Sequence, residues 1–507
     1  MKITLISTAT YPSDQGIRSI SSYLKREGHD VKIIFLQYSE DYSKRYPKNV
    51  LKQVFKLCKK SDILGINSFA STAPRARQII DYLRPRINEN TPILYGGIHA
   101  TISPESCLED NPIVLVGESE KAFLEVVEHI GKNKDITNIP NVYLKRNNKI
   151  IRNRPRPLIE NLDELPYADY DIEDHFILEK NTIRKFKESD FNGYLFFLTG
   201  RGCPYGCTYC SNNLLNEMYK GKGSVVRWHS PQYIIDNILY LRKKYKSLKI
   251  FDIRDDTFAL RPLPQIKEFC ELYKKKVNIG FKCLADPITI TDEKIKLLVD
   301  AGCTDIIVGI QGSESTNKRI YKRFQKDEQV INSAKILNKY KNKLAVMYDV
   351  ITCNPYESPK EIISLINLIR SLPKPFFLSV NNLVFFTGTD LHKKAIMDHL
   401  PPTAYLNYWD RWKHIRIKPQ NAYLVLILNL MRGVVTEKRY GLMPSFLLSF
   451  FLKKKMIRFN LKNKTLTHLI GNLVGLYDNI REKVAKPIYR SLPVNFKVWY
   501  DRVRYRV

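Results

Sequence analysis

The sequence has no apolar run long enough to span a bilayer, and its first residues, MKITLISTATYP, lack the charge layout of a signal peptide. Acidic residues are also scarce, since 51 Asp and Glu stand against 82 Lys and Arg and leave a net charge of +31. These absences predict a cytoplasmic chain without a membrane-spanning helix. The positive excess favours polyanionic partners such as nucleic acid, anionic lipid headgroups or a phosphorylated substrate. A lineage-wide excess of lysine would give the same charge without such a partner.

Cysteine is sparse and scattered except in one octet, CPYGCTYC at residues 203–210. Cys203, Cys207 and Cys210 follow the spacing C-x3-C-x2-C, with no fourth cysteine or histidine nearby in the sequence. A zinc site normally has four protein ligands, and a disulfide framework is typical of secreted chains, so the spacing favours neither. Three thiolates can instead hold three irons of a [4Fe-4S] cluster and leave the fourth iron open.

The octet resembles the signature of the radical S-adenosylmethionine (SAM) superfamily. The resemblance implies that the amino and carboxylate groups of SAM bind the open iron. It also implies that the reduced cluster splits SAM into methionine and a 5'-deoxyadenosyl radical. A short aromatic and aliphatic strand is predicted at residues 192–200, directly before the octet, as at the mouth of the superfamily's barrel. By the same analogy Tyr209 packs beside the adenine of SAM.

Strand and helix patterns alternate through the first quarter of the chain. Short apolar runs are separated by helical stretches such as 73–83 and 120–130. This alternation predicts a doubly wound, Rossmann-like α/β domain, in which ligands bind at the carboxyl ends of the strands. The predicted strands are Lys2–Ser7, Asp30–Leu36, Ile63–Asn67, Ile93–Tyr95 and Ile113–Val116.

The loops after these strands are rich in glycine and small hydroxyl residues, which let a large polar ligand approach the backbone closely. The strings GGIHAT at 96–101 and GESE at 117–120 resemble the cobalamin-binding domain of B12-dependent radical SAM enzymes. The motif D-x-H-x-x-G, which supplies a histidine to cobalt in other B12 proteins, is absent, so we expect no histidine ligand. His99 is either a contact of the ligand or a structural hydrogen-bonding residue. The resemblance implies cobalamin contacts from Ser7, Thr8, Ser68, Ser71, Gly96, Gly97, His99, Thr101, Gly117 and Glu118.

Six strand patterns with helices between them follow and fit the partial (β/α)6 barrel of radical SAM proteins. The chemistry of a barrel lies at the carboxyl ends of its strands. The stretch FDIRDDTF at 251–258 matches the superfamily's D-D-x-F, which implies that Asp255 and Asp256 line the SAM and substrate cavity. Gln311 stands where the superfamily usually has Glu and can still accept a hydrogen bond from a ribose hydroxyl. After the strand at 192–200, the predicted strands are 249–253, 279–284, 305–310, 345–351 and 379–385.

Two features of this barrel concern catalysis. Residues 283–286 stand where relatives often carry an arginine, so that cationic group is expected to be missing. Cys283 and Cys353 lie near strand ends and are candidate donors of a hydrogen atom to a substrate radical. The alternative is that both are small core residues, like the other scattered cysteines.

The C-terminal region carries no familiar motif. It contains an aromatic cluster at 405–412 and apolar runs at 423–431 and 446–452. From Lys453 onward, 14 Lys and Arg exceed 3 Asp and Glu by 11. An apolar helix beside a basic cluster can lie on an anionic membrane surface, or it can cap the barrel with a solvated basic face.

We therefore predict a globular α/β chain whose 507 residues divide into four regions. They are a cobalamin-binding domain at 1–140, a hairpin and linker at 141–190, a radical SAM barrel at 191–391, and a basic, mainly helical region at 392–507.

The predicted function is that of a cobalamin-dependent radical SAM enzyme, most simply a C-methyltransferase acting on an unactivated carbon of a small molecule or lipid. The resemblance implies that one SAM methylates the cobalamin and that a second yields the radical. It also implies a low-potential electron donor of the flavodoxin or ferredoxin type. One alternative is ring formation or rearrangement without methyl transfer. Others are a non-catalytic corrinoid and iron–sulfur protein, and an RNA-modifying enzyme, which requires salt-dependent RNA binding.

Overall fold

The computed structural model describes residues 1–12, 14–39, 41–400 and 421–462. They form two compact units. The first holds the described residues within 1–233, 240–248 and 384–407, and the second those within 234–239, 249–383 and 408–507. The cysteine octet belongs to the first unit, whereas our domain boundaries placed it with the barrel; those boundaries stay a prediction. The aromatic cluster predicted at 405–412 lies outside the described residues.

A nine-stranded sheet forms the core of the first unit. Its central strands are parallel and almost completely buried, as continuous apolar runs require when both faces are covered. The strands are β1 (Lys2–Ser7), β2 (Asp30–Phe35), β3 (Ile63–Asn67), β4 (Ile93–Gly96), β5 (Ile113–Leu115), β6 (Val142–Arg146), β7 (Lys149–Arg152), β8 (His175–Glu179) and β9 (Thr182–Lys185). The helices are α1 (Gln15–Arg26), α2 (Lys48–Cys58), α3 (Ala73–Leu83), α4 (Ile98–Ile102), α5 (Pro104–Asp110) and α6 (Glu120–Gly131).

The strand order is β7-β6-β5-β4-β3-β1-β2-β8-β9. Antiparallel hairpins close both edges, so β6–β7 and β8–β9 cover strands that would otherwise be unpaired. The hairpin predicted at residues 141–153 is confirmed, with its turn at Asn147 and Asn148 in the left-handed region (φ 50° and 57°). The sequence analysis did not predict the β8–β9 hairpin.

The remainder of the first unit surrounds the cysteine octet. Two short strands, β11 and β12, pair antiparallel on either side of the octet and the helix that follows it. The elements are β10 (Tyr194–Phe197), β11 (Gly200–Arg201), α7 (Ser211–Met218), β12 (Arg227–Trp228) and the first turn of α8 (Pro231–Lys244), and α14 (Asp390–Met397) is added from later in the chain.

The second unit contains a sheet whose strands run parallel from β13 to β17 and then continue through three short antiparallel strands. Its strands are β13 (Ile250–Ile253), β14 (Gly280–Ala285), β15 (Cys303–Gln311), β16 (Ala345–Thr352), β17 (Phe376–Asn382), β18 (Gly433–Val435), β19 (Arg439–Tyr440) and β20 (Met443–Pro444). Its further helices are α9 (Leu263–Lys276), α10 (Asp292–Asp300), α11 (Glu314–Thr316), α12 (Asp327–Asn338), α13 (Pro359–Ser371), α15 (Ala422–Met431), α16 (Ser445–Phe451) and α17 (Lys454–Lys462).

Strands β14 to β17 alternate between buried and partly exposed residues, so the sheet has a closed face and a half-open face. The closed face packs on helices; the ring of Phe281, for example, lies 4.8 Å from that of Tyr273 in α9. The first four parallel strands match the predicted strands to within two residues, whereas the fifth, predicted at 379–385, lies three residues earlier at Phe376–Asn382. Alternate residues of β14 to β17 form the closed face. None of the helices in the described ranges combines the length and apolar character that a membrane span needs.

Candidate cofactor site

The carboxyl ends of β1 and β3 form the topological switch point of the first sheet, where doubly wound folds bind ligands. Ser7, Thr8 and Ser68 lie there and are buried. Their hydroxyls are already engaged: Ser7 Oγ donates to Asp14 Oδ2 at 2.6 Å and Thr8 Oγ1 donates to Thr72 Oγ1 at 2.8 Å. The hydroxyls of Ser68 and Tyr95 are 2.9 Å apart. These side chains therefore fix the loops, which leaves backbone groups and the half-buried Ser71 to meet a ligand.

Gly97, after β4, has a conformation that only glycine adopts comfortably, with φ +94° and ψ −176°. A Cβ at this position would lie 1.7 Å from Asn67 Oδ1 and 2.9 Å from the carbonyl oxygen of Ser68. Gly96 precedes it and is also half-buried. The string GGIHAT therefore brings the backbone of two strand ends close together, as a site for a large ligand requires.

Gly97→Ala is expected to lower the free energy of unfolding of the first unit by about 3 kcal/mol or more, since backbone strain and the clash with Asn67 add. Gly28→Ala is the matched control, because Gly28 also has positive φ (+83°) but nothing within 4 Å of the added Cβ. Only strain of about 1 kcal/mol is expected there. Urea unfolding of both variants measures the difference, and equal midpoints would contradict the close approach.

His99 is almost completely buried in α4, at 4% exposure. Its Nδ1 has no hydrogen-bond partner within the described part of the chain, and its Nε2 is 3.5 Å from Ser106 Oγ. Burial lowers the pKa of His99 to about 4, so the imidazole is neutral at pH 7. A neutral ring with one unpaired nitrogen at the strand ends fits a contact with a bound cofactor.

This burial has a consequence for stability below neutral pH. In the unfolded chain His99 takes up a proton near pH 6.5, whereas in the folded chain its pKa is lowered to about 4. The unfolded state thus binds more protons between these values, and stability is lost as the pH falls through this window. His99→Gln is expected to reduce the loss between pH 7.5 and pH 5 by about 2 kcal/mol, measured by urea unfolding at both pH values. An unchanged loss would contradict a buried neutral His99.

The GGIHAT and GESE loops are joined to each other and to α7. The Gly117 N–H donates to Thr101 Oγ1 at 2.9 Å. Tyr219 lies just after α7, and its hydroxyl oxygen accepts a hydrogen bond from the Glu118 N–H at 2.7 Å. A Cβ on Gly117 would come within 2.0 Å of that hydroxyl. Thr101 and Gly117 therefore position the loops, and glycine is required for the approach of Tyr219.

Glu118, predicted as a cobalamin contact, is paired with arginines from the cysteine region. Its carboxylate lies 2.5 Å from Arg227 Nη2 and 3.3 Å from Arg201 Nη1. The buried Glu120 accepts from Arg201 Nη2 at 2.6 Å and from Ser19 Oγ at 2.8 Å. The GESE carboxylates thus attach the loop to the strand pair β11–β12, and sequence reasoning missed this role because the arginines follow more than 80 residues later.

The cysteine octet is a tight loop between β11 and α7. Gly202 allows the chain to turn from β11 into this loop, since its φ is +87° and a Cβ at this position would lie 1.8 Å from the carbonyl oxygen of Val225. Asn216 Nδ2 donates to the carbonyl oxygen of Cys203 at 3.0 Å, and the Cys210 N–H donates to that of Cys207 at 3.0 Å. Cys210 caps the N-terminus of α7, where the helix dipole favours negative charge such as a thiolate.

All nine cysteines are thiols, since none of them forms a disulfide. In the described ranges no three His, Cys, Asp or Glu side chains converge as the ligands of a single ion would. In a four-iron cluster each thiolate binds a different iron, so the three sulfurs need not converge on one point. Three cysteines in one braced loop fit that group.

In the second unit the stretch FDIRDDTF begins within β13 and continues beyond its carboxyl end. Asp255 is buried and pairs with Arg261 Nη1 at 2.8 Å, while Asp256 is exposed. The atoms of this stretch that are buried without a hydrogen bond in the described chain are Asp252 Oδ1 and Thr257 Oγ1. These two lie outside the predicted set of site residues, and unsatisfied buried oxygens call for a partner.

Gln311 ends β15 in the left-handed region, with φ +66°. Strained backbone of this kind is found preferentially at functional positions. An arginine from another element reaches the end of β14, since Arg323 Nη2 pairs with Asp286 and donates to the carbonyl oxygen of Gly309 at 2.9 Å. Arg323 is thus a positioning residue that sequence reasoning missed.

The two candidate cysteines differ in position. Cys283 is fully buried on the closed face of the sheet, 3.8 Å from Cys303 Sγ, so it does not face the half-open side as a hydrogen-atom donor must. Cys353 follows β16 with φ +59°, and its Sγ lies 3.3 Å from Asn382 Oδ1. Tyr209, in the octet, is half-buried.

Comparison with known proteins finds two family models that match parts of this chain. A model of the radical SAM superfamily matches residues 197–369, and a model of the B12 binding domain matches residues 1–127. The chain is 27% identical over 442 residues to an uncharacterized methyltransferase of Pyrococcus horikoshii, covering 85% of this chain and 86% of that protein. It is 22% identical over 319 residues to the anaerobic magnesium-protoporphyrin IX monomethyl ester cyclase of Synechocystis, covering 61% and 58%.

The radical SAM methyltransferase TsrM from Kitasatospora setae shares the fold, with a TM-score of 0.62 at 16% identity over 77% of this chain and 75% of that chain. The predicted fold class is confirmed by this likeness. The two family models confirm the predicted cofactors: a four-iron cluster, SAM and cobalamin. The chain therefore belongs to the radical SAM superfamily and, with its B12 binding domain, is a cobalamin-dependent radical SAM enzyme.

Proposed function

We propose that the protein is a C-methyltransferase that transfers a methyl group to an unactivated carbon of a small-molecule substrate. The observation that carries the proposal is the linkage within the first unit between the cysteine loop and the strand ends of the B12 binding domain. Arg201, two residues before Cys203, holds both carboxylates of the GESE loop. Such a linkage suits a reaction that needs the iron–sulfur and cobalamin sites in a fixed relation.

When bound, the cluster and SAM supply a 5'-deoxyadenosyl radical, and cobalamin supplies the methyl group. The chain's own residues bind and orient these groups. Cys203, Cys207 and Cys210 hold the cluster, and Tyr209 is proposed to pack beside the adenine. Asp252 Oδ1 and Thr257 Oγ1 offer unpaired buried oxygens to SAM.

Three further groups are proposed to position the cofactors. Gln311 accepts a hydrogen bond from the ribose of SAM. The backbone around Gly97 and the neutral imidazole of His99 would contact cobalamin.

The test is anaerobic reconstitution with cobalamin, SAM and a low-potential reductant, with metabolites from a gene-deletion strain as substrates. The expected products are 5'-deoxyadenosine, S-adenosylhomocysteine and a metabolite one CH₂ heavier than the compound consumed. Formation of 5'-deoxyadenosine without S-adenosylhomocysteine or a heavier product would refute methyl transfer. Bound cofactors with no 5'-deoxyadenosine would instead indicate a non-catalytic corrinoid and iron–sulfur protein.

A second candidate is radical ring formation or rearrangement without methyl transfer, on a lipid or another small molecule. It is favoured by the 22% identity to a cyclase of Synechocystis, which covers 61% of this chain. The two candidates share both cofactors, and only the mass of the product separates them.

We further propose that the enzyme receives electrons from a flavodoxin- or ferredoxin-type donor.

We also propose that the C-terminal region of the enzyme contacts anionic membranes. Phe446 in α16 is 73% exposed and Phe450 44% exposed, and Lys453–Lys455 follow directly. Exposed apolar side chains beside a cluster of lysines complement anionic headgroups. Sedimentation with phosphatidylserine vesicles should exceed that with phosphatidylcholine vesicles, and equal sedimentation would exclude the membrane contact.

A further inference from the structure

The half-open face of the second sheet is layered, because its parallel strands are in register. The lowest layer is charged, the next is apolar, and the layer nearer the carboxyl ends of the strands contains one acid. The layers are Asp252, Lys282, Asp305 and Ala345; then Ile307, Met347 and Phe377; then Gly309, Asp349 and Ser379. Asp349 thus lies above an apolar floor, and the side-chain amide of Gln311 covers its neighbour Gly309.

The other charges on and around this face are paired. The ion pairs are Asp252–Arg254 (2.8 Å), Lys282–Asp305 (3.4 Å) and Asp286–Arg323. Asp349 has no ion-pair partner within the described ranges. Its carboxylate has neutral hydrogen-bond partners in Ser379 and Asn381, and the charge of Arg254 acts on it only at a distance. Asp349 is therefore a carboxylate of this face without a direct ion pair in the described part of a chain whose net charge is +31.

Burial raises the pKa of Asp349, and the hydrogen bonds of Ser379 and Asn381 oppose that rise. A partly buried carboxylate without a cation is costly, and a cationic ligand group removes that cost. An ionised carboxylate can accept about four hydrogen bonds, so Ser379 and Asn381 leave acceptor capacity for a ligand. The apolar floor below suits the aliphatic carbons next to such a group.

We propose that Asp349 anchors a substrate subsite for a protonated amine. This inference rests on the proposed function and deepens it, because it assigns an alkylammonium group to the substrate. Ser379 and Asn381 orient the carboxylate, and the apolar layer of Met347 and Phe377 contacts the attached carbon chain. SAM also carries an ammonium group, so the test must separate the two sources of the cation.

The probe is n-butylammonium, titrated into the reconstituted holoenzyme at neutral pH and followed by saturation-transfer NMR, with n-butanol and butyrate as controls of equal size. We expect butylammonium to bind the wild type more tightly than either control. Asp349→Asn is expected to weaken this binding at least about tenfold, since a charged hydrogen-bonded contact is lost. Asp305→Asn is the matched control on the same face, and binding is expected to stay within about twofold because Asp305 already pairs with Lys282.

Equilibrium dialysis with labelled SAM is the second arm. A tenfold loss of SAM affinity in Asp349→Asn would assign the cation to SAM and overturn the proposal. Equal butylammonium binding by wild type and Asp349→Asn, or no preference of the wild type for butylammonium over butanol, would also overturn it. The wild-type comparison needs no variant, so it remains decisive if Asp349→Asn fails to fold. Formation of 5'-deoxyadenosine by the wild type tests the enzyme activity separately, since the binding experiment needs no turnover.

Discussion

Replacing Cys203, Cys207 and Cys210 together by alanine is expected to abolish reductive SAM cleavage, with 5'-deoxyadenosine falling to the level of a reaction without enzyme. Without these thiolates no iron of the cluster has a protein ligand from the octet. Iron and sulfide analysis and the EPR spectrum of the dithionite-reduced protein report the cluster directly. The fold should survive, because two of the three thiols are only partly buried and the loop is held by backbone hydrogen bonds.

The matched control is Cys58→Ala, which removes a buried thiol from α2 of the same unit. It is expected to lose some stability, through the cavity it creates, but no iron. Reductive SAM cleavage by the triple variant at the wild-type rate would falsify the assignment of the octet. A loss of iron from Cys58→Ala as well would show instead that the cluster depends on the general stability of the unit.

The parallel strands could be predicted well because the apolar residues that define each strand are consecutive or nearly consecutive in the sequence. β1 and β3 have the predicted bounds, since each is mainly apolar and ends at a small polar residue, Ser7 or Asn67. The β8–β9 hairpin was not predicted because the alternation of apolar and polar residues in β9 is weak. Ile183 is only half-buried, and the residues on either side of it in β9 are polar. Its place in the sheet comes from pairing with β2, far away in the chain.

Site residues were harder to predict, because their roles depend on partners distant in the sequence. A Glu in a loop after a strand resembles a ligand contact, yet Glu118 meets Arg227, 109 residues later. Cys283 lies close to a strand end, but the alternation of β14 directs it to the closed face. Asp349 belongs to no motif in the sequence. The register of β15, β16 and β17 shows that it lies on a face whose other described charged side chains form ion pairs. The residues that indicate the cofactors lie close together in the sequence. The residues proposed to contact the substrate are brought together only by the pairing of distant strands.

Arg201→Met is expected to lower the free energy of unfolding of the first unit by about 3–5 kcal/mol and to reduce the iron content after reconstitution. Arg201 is the cation that lies between Glu118 and Glu120, at 3.3 Å and 2.6 Å. Burial raises the pKa of Glu120, but the charge and hydrogen bonds of Arg201 outweigh it and hold the pKa below its usual value. Without the guanidinium, Ser19 is the one side-chain partner that the buried Glu120 keeps among the described residues. Urea unfolding and iron analysis measure the two effects.

Arg152→Met is the control, because its ion pair with Glu105 is about half exposed on both sides and should contribute less than about 1 kcal/mol. The double variant Arg201→Met/Glu120→Gln distinguishes charge from packing. If the cost arises from an unpaired buried carboxylate, removing that charge should restore about half of the stability or more, and the two substitutions will be strongly non-additive. Recovery of stability without recovery of iron would mean that Arg201 itself holds the cysteine loop in a cluster-binding conformation. Additive losses would contradict the ion pair as the connection between the GESE loop and the octet.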